Sequence, residues 1–219
     1  MALALFDLDN TLLAGDSDYL WGEYLVEHEK VDANEHARKN QYFYQQYLDG
    51  SLDIHEFLDF QLKPLAMYSR KQLESWRQQF MEEKIQPIML ATAHTLIKQH
   101  RDNGDTLVII TATNRFITEP IATAYGIDHL LATEAEMING EYTGGTTGIA
   151  CFQQGKVERL HDWLKQHNAS LEGSWFYSDS HNDLPLLELV DHPIAVDPDE
   201  KLRSTARLHG WPVMSLRTE

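Results

Sequence analysis

The chain has 219 residues, of which 42% are apolar and 24% charged, and a formal net charge of −16. That length buries a full core and leaves room for an insertion, while the acidity excludes a nucleic-acid surface, which needs clustered Lys and Arg. One cysteine, Cys151, excludes an intramolecular disulfide and fits a reducing compartment. The first element is an apolar run, Ala2 to Phe6, with the pattern of a buried strand in an α/β sheet. It runs into Asp7-Leu8-Asp9-Asn10-Thr11, so two carboxylates and a hydroxyl sit where a strand ends. Ligands of open α/β sheets bind beyond such ends. No basic region precedes the run, which therefore does not read as a signal peptide, and no stretch is long enough to span a bilayer; the expected location is the cytoplasm.

From about Asp16 to Lys84 the pattern is helical. Leu20, Trp21, Tyr24 and Leu25 share a face, and Ile54, Phe57, Leu58, Leu62 and Leu65 share another behind Asp53 as N-cap. Tyr42, Phe43, Tyr44 and Tyr47 lie on a further helix, and Leu73, Trp76 and Phe80 follow Ser69. After Pro87 the chain alternates. A helix is expected over Ile88 to His100, a strand over Leu107 to Ile110 ending at Thr111, and a helix from Ile117 to Tyr125 closed by Gly126. A strand near His129 to Ala132 leads to a hairpin over Glu136 to Thr143 around Asn139-Gly140. Then come a helix from Lys156 to His167, a strand from Trp175 to Tyr177, a short helix from Leu184 to Val190, a strand from Pro193 to Val196, a helix from Asp199 to Leu208 and a terminal edge strand. The alternation predicts a doubly wound parallel α/β sheet formed by residues 1–14 and 87–219, with residues 15–86 inserted as an all-helical cap.

Four groups recur at strand ends or helix starts: Asp7 with Asp9, then Thr111, then Lys156, then Asp179 with Asn182 and Asp183. Singly, each is an ordinary cap, terminus or turn. Gathered at one sheet edge, the carboxylates form a hard oxygen site suited to Mg²⁺ and a phosphate, and the hydroxyl and lysine would hold the remaining phosphate oxygens. The set fits phosphoryl transfer, in which charge neutralisation and alignment dominate. The eleven histidines include no pair spaced for a transition metal.

Asp7-Leu8-Asp9-Asn10-Thr11, the apolar strand before Thr111, Lys156, and Ser178-Asp179-Ser180-His181-Asn182-Asp183 resemble the four motifs of the haloacid dehalogenase superfamily. The helical insert after the first motif resembles the type 1 cap of its phosphoserine phosphatase-like branch. The resemblance implies Asp7 as nucleophile and Asp9 as acid and base. It implies Mg²⁺ held by Asp7, the backbone carbonyl of Asp9 and Asp179, with Asp183 acting through a metal-bound water or by orienting Lys156. Thr111, Lys156 and Asn182 would bind phosphate. The partner is then a small-molecule phosphate ester, with no nucleic acid or membrane, for a monomer or homodimer.

In the phosphoserine phosphatase-like branch, a cap acid meets the substrate's amino group and a cap arginine its carboxylate. Asp16, Asp18 and Glu23 are counterparts of the acid, but between Met1 and Ser69 the only arginine is Arg38, and Asp59 stands where one is expected. An acidic cap with Trp21, Tyr24 and Tyr44 favours a cationic or neutral head, such as that of histidinol phosphate, over phosphoserine. The same rings at helical spacing also suit a cap core. A phosphotransferase would use the same motifs, and a phosphoaccepting signalling domain a similar set without the long insert.

Overall fold

The computed structural model describes residues 2–217. Seven strands form one sheet in the order β4-β3-β2-β1-β5-β6-β7. They are β1 (Leu3–Phe6), β2 (Thr106–Asn114), β3 (His129–Ile138), β4 (Glu141–Thr147), β5 (Trp175–Ser178), β6 (His192–Val196) and β7 (Val213–Met214). All neighbours pair in parallel except β3 and β4. The expected α/β class and doubly wound sheet are therefore observed. β1 lies in the middle, and its side chains alternate between two cores: Ala4 and Phe6 on one face, Leu3 and Leu5 on the other. The chain moves outward from β1 on one side through β2 and β3, then returns to β1's other side with β5. That reversal opens a crevice at the strand ends where Asp7 and Asp179 emerge.

Between β1 and β2 lie α1 (Ser17–Glu27), α2 (Ala33–Asp49), α3 (Ile54–Met67), α4 (Arg70–Phe80) and α5 (Ala91–Asp102). Asp16, Asp32 and Asp53 start the first three by accepting first-turn N–H groups, and a Ser69–Gln72 capping box starts α4. After α4 the helix continues as one wide turn, Met81–Ile85, and one tight turn, Gln86–Ile88, so α5 begins three residues later than expected. The interior of α1, α3 and α4 (Trp21, Tyr24, Leu58, Leu62, Leu73, Phe80) is continuous with the sheet face that carries Phe6, Ile109 and Ala132. The helical insert thus rests on a shared core.

The remaining helices are α6 (Arg115–Tyr125), α7 (Gln154–His167), α8 (Leu184–Leu187) and α9 (Glu200–His209). The β3–β4 hairpin turns on Asn139-Gly140, both with positive φ (54° and 85°), as a two-residue turn of this hand requires. Its Gly144 lies against Lys63 and Ala66, so the hairpin props α3 over the crevice. The expected strand Leu107–Ile110 is longer than predicted. Past Ile110 the β2–β3 register shifts, and the extended chain carries Thr111, Thr113 and Asn114 toward the crevice. Thr111 is therefore inside β2, not at its end.

Candidate active site

Asp7 follows β1 directly, Asp179 follows β5, and Lys156 sits in the first turn of α7. Lys156 Nζ lies 2.8 Å from Asp7 Oδ1 and 2.8 and 2.9 Å from the two oxygens of Asp183. Asp183 also accepts from Ser178 Oγ at 2.7 Å. Both carboxylates, Asp7 and Asp183, thus accept from the Lys156 ammonium. Thr11 Oγ1 lies within donating distance of Asp179 Oδ1 (3.2 Å) and Asp7 Oδ2 (3.4 Å), and it accepts the Asp179 backbone N–H. A single hydroxyl thus joins the first and last motifs.

Asp9 points to the other side. Its carboxylate accepts from Ser17 N at 2.6 Å and Thr113 Oγ1 at 2.8 Å. Thr111 Oγ1 accepts the Thr113 N–H, and Asn182 Oδ1 accepts from Gln153 Nε2. Tyr47 on α2 donates to Ser180 Oγ at 2.8 Å, tying the helical insert to the last motif. Sequence reasoning missed the contacts of Thr113, Gln153 and Tyr47, whose partners Asp9, Asn182 and Ser180 lie 104, 29 and 133 residues away, so no local pattern marks them. Thr11 and Ser178 stood inside quoted motifs without a role.

Burial dominates the electrostatics. It pushes Asp7 up to about 7, with Lys156 pulling the other way and Asp183 adding to the rise. Asp9 is pushed up to about 6, by burial and then by Asp16. Asp179 is held well above the ordinary carboxylate value by burial and by the Asp7 charge. Burial works against the Lys156 ammonium, but Asp183 and Asp7 outweigh it and keep it charged. Cys151 is fully buried with its thiol pushed up to about 12, which fits packing and not nucleophilic chemistry.

Gly155 places Lys156. A Cβ there would lie 2.0 Å from the Ala150 carbonyl oxygen, so no side chain fits without moving backbone. Gly155→Ala is expected to cost about 2 kcal/mol in urea unfolding and to reduce activity further than that loss explains, because Lys156 is displaced. Wild-type stability with full activity would contradict this placement.

A cavity of about 780 Å³ joins these groups to the helical insert. Asp7, Asp9, Thr111, Lys156, Asn182 and Asp183 line it, and so do Asp16, Asp18, Glu23 and Tyr44. Among the described lining residues, Lys156 is the only Lys or Arg, and Arg38 is exposed elsewhere on α2. Trp21 and Tyr24, two of the three rings considered for the substrate head, do not line the cavity. They stack on each other and meet Phe80 edge-on inside the core. Asp16 is exposed and spends its carboxylate capping α1, whereas Asp18 is buried. Among the described residues, no three His, Cys, Asp or Glu side chains form a metal cage by themselves.

A family model described as haloacid dehalogenase-like hydrolase matches residues 4–188. The chain belongs to this family. A histidinol-phosphatase of Neisseria meningitidis serogroup C is 42% identical to this hydrolase, over 98% of the chain and 99% of the relative. A crystal structure of a Bordetella pertussis protein of unknown function superposes with a TM-score of 0.93 at 41% identity, covering 99% of both chains. A substrate-bound phosphoserine phosphatase shares the fold, with a TM-score of 0.70 at 19% identity over 99% of this chain and 93% of that one. Family and relatives together make this hydrolase an enzyme of the phosphatase kind. Among its described residues no helix is long and apolar enough to cross a membrane.

Proposed function

We propose that this hydrolase is a Mg²⁺-dependent phosphomonoesterase that works through an aspartyl-phosphate on Asp7, with histidinol phosphate as substrate. The observation that carries the reaction class is the Lys156 ammonium clamped between Asp7 and Asp183, with Asp179 reached across Thr11. An Asp7 oxygen attacks phosphorus while the ester P–O bond breaks, and Asp9 gives its proton to the leaving alkoxide oxygen. Asp9 then takes a proton from the attacking water, and the bond between Asp7 and phosphorus breaks to release inorganic phosphate. A carboxyl pushed up to about 6 serves both steps near neutral pH. Thr111, Lys156 and Asn182 hold and orient the phosphoryl oxygens.

The donor set fits Mg²⁺. Asp7, Asp179 and Asp183 share one buried ammonium, that of Lys156, and the surplus negative charge at Asp7 and Asp179 calls for a cation. Mg²⁺ retains waters and substrate oxygens, so a full cage of side chains is not required. Asp7, Asp179 and the Asp9 carbonyl would hold it, and it would neutralise charge on the phosphoryl group.

Support for the substrate comes from the cavity and from the Neisseria relative. The cavity offers carboxylates to a cationic head, and its lining offers no arginine to a substrate carboxylate. A panel of histidinol phosphate, phosphoserine and phosphoethanolamine, with and without chelator, tests both parts. We expect activity to vanish with chelator and return with Mg²⁺, and kcat/KM for histidinol phosphate to exceed that for phosphoserine by at least ~100-fold. A preference for phosphoserine would overturn the substrate reading.

A further inference from the structure

Where the helical insert meets the last motif, two hydroxyls are left with a proton to give. Tyr47 Oη on α2 donates to Ser180 Oγ at 2.8 Å, and both residues line the cavity. The other groups bonded to Ser180 Oγ are donors too: the Asn182 backbone N–H at 3.2 Å and Asn182 Nδ2 at 3.3 Å. A hydroxyl carries one proton and also accepts. Tyr47 and Ser180 therefore bring two protons, and the bond between them uses one. Among the described residues, neither hydroxyl has a further acceptor, so one O–H remains whichever of the two donates to the other.

The surroundings narrow what that proton meets. The Asn182 amide is fixed at both ends, its Oδ1 accepting from Gln153 Nε2 at 2.8 Å while Nδ2 donates to Ser180. Burial, and then the charge of Asp179, push the Tyr47 phenol up, with Asp7 and Asp183 adding to the rise, so the phenol stays protonated beside the acids of the site. A spare O–H next to Asn182 and Asp179 suits an anionic oxygen, to which a hydrogen bond is stronger than to a neutral one. The end of α2 is seated on the core by other contacts. Lys201 Nζ donates to the Leu48 carbonyl at 3.1 Å, and a Cβ on Gly50, which caps α2, would lie 3.5 Å from His181 Nε2. The Tyr47 hydroxyl can therefore be removed with its ring in place.

Resting on the phosphatase reading above, we infer that Ser180 Oγ–H binds a phosphoryl oxygen and that Tyr47, by donating to Ser180 Oγ, is a positioning residue that turns this proton toward it. With Tyr47 occupying one lone pair of Oγ and Asn182 the other side, the Ser180 O–H is left a narrow range of directions. The phosphate pocket is then completed by a residue of the helical insert, acting through one of the core.

The test titrates inorganic phosphate into the enzyme with Mg²⁺, by calorimetry and as a competitive inhibitor of p-nitrophenyl phosphate hydrolysis. Ser180→Ala should weaken phosphate affinity about 10-fold and Tyr47→Phe about 5-fold, the latter with Tm within a few degrees of wild type. Because Tyr47 acts through Ser180, the double variant should stay within ~2-fold of Ser180→Ala alone. Lys201→Met loosens the same end of α2 without touching either hydroxyl and should stay within ~2-fold of wild type. Tyr47→Phe and Lys201→Met keep the test available if Ser180→Ala disturbs the turn that its Oγ caps. Unchanged affinity in Tyr47→Phe, multiplied effects in the double variant, or an equal loss in Lys201→Met overturns the inference. Wild-type hydrolysis of p-nitrophenyl phosphate would then leave the phosphatase reading standing. A wild type that hydrolyses no phosphate ester overturns both.

Discussion

Asp7→Asn is expected to leave the fold intact and to lower turnover of every phosphate ester at least ~10⁴-fold. The amide is the same size as the carboxylate and can still accept from Lys156 Nζ, which lies 2.8 Å from Asp7 Oδ1. It is not a nucleophile, so the covalent step has no attacking group. Burial already holds the Asp7 carboxyl up to about 7, so replacing it by a neutral group removes little stability, and Tm should stay within a few degrees. The effect should fall on kcat, with substrate binding largely retained. Substantial turnover by a pure Asp7→Asn sample would remove Asp7 from the nucleophile role.

Lys156→Met is expected to have the largest effect on stability. The side chain is 4% exposed, and its ammonium faces Asp7 and Asp183, themselves nearly buried. Removing one partner of a buried ion pair typically costs about 3 kcal/mol or more, which is ~6–12 °C in Tm for a chain of this size. The loss should depend on pH in a definite direction. Asp7 stands above its ordinary value of 3.8, at about 7, so the folded state holds that proton more tightly than the unfolded chain. Its contribution is therefore present in acid and is lost as pH rises from the lower value through the higher one. Without Lys156, which pulls Asp7 down, the upper limit of that window moves higher still. The Tm gap between variant and wild type should thus stay nearly constant up to about pH 6 and widen as pH rises past about 7 in metal-free buffer. A gap that is constant or narrows over that rise would mean that Lys156 does not compensate these acids.

Much of this architecture was legible in the sequence because its signals are local. The apolar run before Asp7, the Asn139-Gly140 turn and the Asp53 cap are each set by a few neighbouring residues, and each appears in the structure. The motif residues come together because a parallel sheet delivers strand ends to one edge. What stayed hidden depends on packing between distant segments. Asp16 and Asp18 look alike in the sequence, but two residues of helix turn them about 200° apart, so one caps α1 in the open and the other is buried. Trp21 was a candidate for the substrate, yet Phe80 and Phe116, from α4 and α6, enclose it. Helical spacing defines a face, but not whether that face meets a core or a cavity. Thr113 reaches Asp9 only because β2 slips register past Ile110, an irregularity that no propensity encodes.

The most direct measurement is to trap the covalent intermediate. Histidinol phosphate labelled in its phosphoryl group is mixed with enzyme and Mg²⁺, quenched in acid within the first turnover, and the protein is digested and mapped. The account predicts phosphate on the peptide that carries Asp7, released by hydroxylamine and missing from Asp7→Asn. Label on another residue, or single-turnover hydrolysis with no phosphoenzyme and an active Asp7→Asn, would contradict it.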